Sequence, residues 1–176
     1  MIQLQGLGMS DHLGALRLKG QERVYACWRA LRSANGRVRR DRLDLSVIAG
    51  ELAHVSILAA GPTGFHFRLA GSGLREIFRT DARGRTPTEF GDLCTNKAWM
   101  TAPRRTLADG QPQAGVCETD NGDLHLWLRL PLSSDGEHDD LVLCHDRYLP
   151  VEALEDLEEA ARQADRALRR DLAVAA

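Results

Sequence analysis

The hydrophobic period of this chain changes twice, and the order of those changes restricts its fold more than any single motif. Residues 54–60, "HVSILAA", and 65–70, "FHFRLA", read as strands joined by a Gly61-Pro62-Thr63-Gly64 turn. From Gly71 to about residue 110 the apolar spacing becomes helical, with interruptions at Gly84, Pro87, Gly91 and Pro103, so several short helices are predicted. The period then returns to two. "QPQAGVCETD" is a weaker strand, Asn121-Gly122 a hairpin signal, and "DLHLWLRLPL" alternates Leu124, Leu126, Leu128 and Leu130 against His125, Trp127 and Arg129. "LVLCHDRYL" follows the turn "SSDGEHDD" as a last strand. Two strands, a helical excursion and three more strands predict an α+β fold: one antiparallel five-stranded sheet with short helices over one face.

The flanks read differently. Residues 1–20 are Gly-rich and weakly patterned, a loose leader; residues 21–149 form the domain; residues 150–176 form an amphipathic helix, acidic early and basic late. Within residues 21–34, Val24, Cys27, Trp28 and Leu31 share one helical stripe that stops at Asn35-Gly36. "RVRRDR" links this helix to a turn-like "LDLSVIAGELA".

"FHFRLAGSGLREIF", residues 65–78, joins a strand to a helix through Gly71-Ser72-Gly73. A phosphate could sit on such a helix N-terminus. The dinucleotide fingerprint needs a third small residue, however, and Glu76 stands there, bulky and negative. Gly71 and Gly73 are therefore predicted to be turn residues that fold the strand back into the helix.

Composition removes whole classes of function. A net charge of −2 gives no general attraction to nucleic acid or to an anionic membrane. Cys27, Cys94, Cys117 and Cys144 are far apart, which argues against a thiolate metal site or a dithiol redox centre. There is no signal-peptide pattern at the N-terminus, and no apolar run approaches the roughly 20 residues that span a bilayer. The expected setting is cytoplasmic, with reduced thiols.

Three segments, "CWRALRSANGRVRRDRLDL", "FHFRLAGSGLREIFRTDARGRTPTEF" and "LWLRLPLSSDGEHDDLVLCHDRYL", occur in an order that resembles the bacterial PAS_5 group of PAS domains, found mostly as short alphaproteobacterial proteins. The resemblance covers about residues 24–149. Val38 stands where a proline is common in that group, and Ala53 where one usually precedes the strand. The resemblance implies a sensory or protein-interaction module whose curved sheet, roofed by short helices, can leave a small apolar cavity. Leu124, Leu126 and Leu128 with Phe65 and Phe67 would floor it, and Ile77, Phe78, Trp99 and Met100 would roof it. The same side chains could simply fill the core.

Other candidates are weaker. His66 and His125 alternate away from the apolar face, and His138 and His145 near Asp139, Asp140 and Asp146 fit no metal-ligand spacing, so neither metal nor cofactor is expected. No nucleophile set is present, and a non-enzyme is expected. Arg37, Arg39 and Arg40, flanked by Arg32 and Arg42, could dock an acidic partner or a nucleotide, or could be a solvated linker. Trp127, Val142 and Cys144 are predicted to make an outer apolar strip covered by the 21–34 helix, with Tyr25 or Trp28 in contact, and Tyr25, Trp28 and Trp127 are also candidate partner contacts. Arg68 is expected to pair with Glu76 or Asp81.

These readings converge on a single-domain regulatory protein that acts through protein contact, since about 26 residues after the domain are too few for an output domain. The alternative is a sensor holding a small ligand in the cavity. Leu154, Leu157, Ala161, Ala164, Leu168 and Leu172 are spaced close to a coiled-coil seam and predict a homodimer, unless that helix folds back on its own domain.

Overall fold

The computed structural model describes residues 3–4, 19–93, 97–150 and 153. The elements are β1 (Gln3–Leu4), α1 (Lys19–Ala30), a 3-10 segment (Leu45–His54), β2 (Val55–Gly61), β3 (Gly64–Ala70), α2 (Leu74–Phe78), a second 3-10 segment (Pro87–Leu93), α3 (Ala98–Asp109), β4 (Gln113–Glu118), β5 (Leu124–Ser133) and β6 (Asp139–Leu149). The seam from Leu154 to Leu172 lies outside the described residues.

Five of the strands pair antiparallel, as the alternation of periods requires, in the order β4-β5-β6-β2-β3. β1, from the segment read as a leader, adds two residues parallel to β4 at the edge. The helical excursion between β3 and β4 covers one face. α1 covers the other, burying Gly20, Val24 and Trp28 at four-residue spacing. Two hydrophobic clusters result, one on each side of the sheet.

Which strand face meets which cover is the reverse of the sequence expectation. Trp127, Val142 and Cys144 lie under the short helices, with Phe67, Ile77, Phe78, Phe90 and Trp99. Leu128, Leu130, Leu132, Leu141 and Leu143 pack under α1 with Val24 and Trp28. By alternation Leu124 and Leu126 share the face of Leu128, so none of the three floors the helix-roofed side. All ten residues of β5 are buried, so an apolar face and a mixed one are both inside.

A β-bulge between Ile57 and Leu58 explains a second departure. Ile57 pairs with Leu69 and Leu58 with Phe67, which leaves Arg68 unmatched. Phe67 therefore faces the helices, while Leu69 joins the α1 side. Arg68 is exposed, and Asp81 takes Arg75 and Arg83 instead of it. Pro103, expected to interrupt the helical region, lies inside α3 on its buried side.

Gly71 and Gly73 serve close approach of backbones. Their N–H groups donate to the Val55 and Ala53 carbonyls at 2.8 Å each. A Cβ on Gly71 would lie 2.2 Å from the Leu52 carbonyl oxygen and 2.4 Å from that of Ala53. Backbone cannot yield as a side chain can. Gly71→Ala is expected to cost about 1–3 kcal/mol, read as a lower midpoint in urea. Gly50→Ala, where a Cβ meets nothing within 4 Å, should leave the midpoint unchanged or raised. Equal midpoints for the two variants would refute the steric account.

Candidate functional site

β5 and β6 bring an ionic network into the helix-roofed interior. Arg129 projects from β5 toward Asp146 of β6 and donates to it twice, Nη2 to Oδ1 at 2.8 Å and Nη1 to Oδ2 at 3.1 Å. His125, two pleat repeats away along the same face, bonds Asp146 Oδ1 through Nε2 at 2.7 Å, and its Nδ1 lies 3.6 Å from Cys117 Sγ. Arg129, Asp146 and His125 are 2%, 1% and 0% exposed. Burial alone would raise the Asp146 carboxyl, but Arg129 and His125 outweigh it and hold the group well below the usual carboxylate range. Nearby, burial pushes the Cys144 thiol up to about 12, so it is protonated and unreactive.

Aromatic rings fill the layer above. Phe78 stacks on Phe90 at 4.5 Å and on Trp99 at 5.7 Å, Phe67 meets Phe78 at 5.5 Å, and Trp99 stands edge-on to His125 at 5.5 Å. The Arg129 guanidinium lies 5.7 Å from the Trp127 ring centre. Among the described residues, Trp99 Nε1, Thr106 Oγ1, Trp127 Nε1 and Arg129 Nε are buried here without a hydrogen-bond partner.

On the opposite face, a second polar group fastens α1 and the 3-10 segment to β6. Glu51 Oε2 accepts from His145 Nε2 at 3.1 Å, and Glu51 Oε1 pairs with Arg23 of α1. Arg147 donates to His54 Nε2. Burial lowers both His145 and His54, which keeps them neutral. A histidine held below its unfolded pKa of about 6.5 binds fewer protons folded than unfolded, so its stabilising contribution is complete above that pH and fades as pH falls through it. The melting temperature is expected to fall on acidification from about pH 7.5 to 5.5. A flat or rising profile over that window would contradict two neutral buried histidines.

A profile of the PAS_5 group of the PAS domain matches residues 17–109, more than half of the chain. The chain belongs to the PAS domain family. The matched segment of this PAS domain ends with α3, and β4, β5 and β6 complete its sheet. No curated protein matches the chain significantly. Among solved structures it is similar to a light-oxygen-voltage domain studied with a flavin analogue (TM-score 0.46, 11% identity, covering 68% of this chain and 94% of that one). It is also similar to a domain assigned to a light and redox sensing histidine kinase from Haloarcula marismortui (TM-score 0.42, 14% identity, 57% and 93%). A third similarity is to an RNA-binding light-oxygen-voltage receptor (TM-score 0.42, 15% identity), where the match covers 94% of this chain and 43% of that one.

The PAS interior thus gathers Phe67, Ile77, Phe78 and Trp99, with Phe65 and Met100 at its margin, but not Leu124, Leu126 or Leu128. Trp28 and Trp127, offered as partner contacts, are buried inside the domain on opposite sides of the sheet, and Tyr25 stacks on Trp28 at 5.9 Å. Arg39 is bound to Asp41, Arg37 lies 3.8 Å from Asp139, and Arg40 is exposed. The grouping of His138, His145 and Asp146 dissolves, because His145 and Asp146 are buried on opposite faces of β6 and His138 is on the exposed turn. Asp135, Glu137 and His138 do lie within 4.8 Å of one another, all exposed. Asp135 there accepts the Glu137 and His138 N–H groups at 2.7 and 3.1 Å, the work of a turn residue.

Sequence reading missed the Arg129–Asp146–His125 set. The signal was an arginine and a histidine in a strand that is otherwise apolar. Its meaning depended on the β5–β6 register, which sets Arg129 opposite Cys144 and Trp127 opposite Asp146.

Proposed function

We propose that this PAS domain is a regulatory module without catalysis of its own that acts by contact with a partner protein in the cytoplasm. One observation carries this: the layer between sheet and helices, where a ligand would lie, holds the mutually packed rings of Phe67, Phe78, Phe90 and Trp99. With Trp28 and Trp127 inside, a partner would meet exposed groups such as Arg39, Arg40 and Val47, the last 66% exposed. Among the described residues no helix is long and apolar enough to cross a membrane. A native mass spectrum with an absorbance scan of purified protein tests the reading. The expected result is the mass of the chain or its dimer, with absorption from Trp and Tyr alone. A stoichiometric bound small molecule or a visible band would overturn it.

That outcome would favour the second reading, a small-ligand sensor. The four unpartnered buried groups around α3 and β5 support it, since a ligand rich in acceptors would satisfy them. Self-association is a separate proposal, resting on the Leu154–Leu172 stripe. Sedimentation at tens of micromolar, where association of roughly −7 kcal/mol registers, is expected to show a dimer, and a monomer there would refute it.

A further inference from the structure

We propose that a compact polyanion of the phosphate class binds in a cleft between the start of α1 and the end of β6, on the opposite side of the sheet from the aromatic interior. The cleft has a volume of about 230 Å³ and is lined by Lys19, Gly20, Arg23, Gly50, Glu51 and Arg147. Ligand pockets for larger molecules run to about 300–1,000 Å³, so this one suits a small, densely charged group.

Its charge is unbalanced. The single carboxylate in the wall, Glu51, is taken on both oxygens, by Arg23 and by His145. Burial outweighed by those two partners holds Glu51 ionised, so it neutralises Arg23 and has nothing left for the other cations. Lys19 and Arg147 have no carboxylate partner among the described residues. Arg147 instead donates to the neutral His54, which leaves its positive charge uncompensated. Two cations without a carboxylate partner and a third that has one therefore face one partly enclosed space. Arginine forks and a lysine ammonium in that arrangement select phosphate-type oxygens.

The cleft is built without dependence on a ligand. A Cβ on Gly20 would fall 2.2 Å from a Glu51 carboxylate oxygen, so the backbone of α1 seats close against that side chain. Gly50 has nothing within 4 Å of where its Cβ would be and borders open space. Lys19 and Arg23 are one turn apart on α1 while Arg147 belongs to β6, so an anion held by all three ties the helix to the sheet.

Pyrophosphate titrated into the full-length chain at low ionic strength, followed by calorimetry and by amide exchange in α1, tests the proposal. Saturable one-to-one binding with slowed exchange in α1 is expected. Lys19→Gln and Arg147→Gln should each weaken binding about tenfold, the loss of one charge-assisted hydrogen bond. Gly50→Asp should remove binding while leaving the melting temperature unchanged, because that position is open. A response that does not saturate, that chloride reproduces at equal ionic strength, or that persists unaltered in the three variants would overturn the assignment.

Discussion

Asp146→Ala is expected to lower stability by about 3–5 kcal/mol, enough to leave much of the protein unfolded at moderate temperature. Asp146 is 1% exposed, and it is the partner of a guanidinium that is 2% exposed. Removing the carboxylate strands the Arg129 charge in a layer of aromatic rings and leaves the His125 Nε2 contact unmet. The attraction that normally offsets desolvation of Arg129 would then be gone while the desolvation remained. Replacing both partners, Arg129→Met with Asp146→Leu, should recover much of the loss, because no buried charge is then unpaired. Urea denaturation followed by Trp fluorescence measures both. A single-variant loss under about 1 kcal/mol would mean that water reaches the pair. The pH dependence has a defined sign. Asp146 is held far below its unfolded pKa of about 3.9, so its contribution is full above that value and declines as pH falls beneath it.

Trp28→Ala is expected to cost about 3–5 kcal/mol as well, the range for deleting a large buried aromatic. Trp28 is 1% exposed, its indole N–H donates to the Pro131 carbonyl at 2.8 Å, and Tyr25 and Arg32 lie against its ring. The residue anchors α1 to β5, so its loss should free the helix before the sheet melts. Limited proteolysis should then cut within α1, whose Gly20, Val24 and Trp28 are buried in the intact protein. Trp28→Phe retains most of the contact area but leaves the Pro131 oxygen unpaired, and about 1–3 kcal/mol is expected. If Trp28→Phe and Trp28→Ala lose equal stability, the hydrogen bond dominates and packing of α1 contributes little.

The five antiparallel strands, their order in the chain and the positions of the turns were legible because each follows from local spacing. A period of two, a glycine-proline turn and Asn121-Gly122 are properties of a few adjacent residues, and short-range backbone geometry enforces them. The stripe on α1 was legible for the same reason, and so was the turn that Gly71-Ser72-Gly73 makes between strand and helix. Its glycines proved necessary for another cause, contact with the carbonyls of residues 52–53. That contact joins parts of the chain whose proximity no local pattern encodes.

Tertiary structure alone decided which cover each sheet face receives. In a sheet with one solvated face, polar residues mark the outside. Here α1 and the short helices bury both faces, so polarity no longer distinguishes in from out, and Arg129 and His125 sit inside because Asp146 meets them across β5 and β6. The bulge at Arg68 reversed the remaining alternation of β3, and nothing in "FHFRLA" signals it. Local sequence determined the elements and their periods, because those depend on neighbours within a turn or a pleat. The partnering of charges, the bulge and the meeting of Glu51 with α1 and β6 depend on residues tens of positions apart, which only the assembled fold brings into contact.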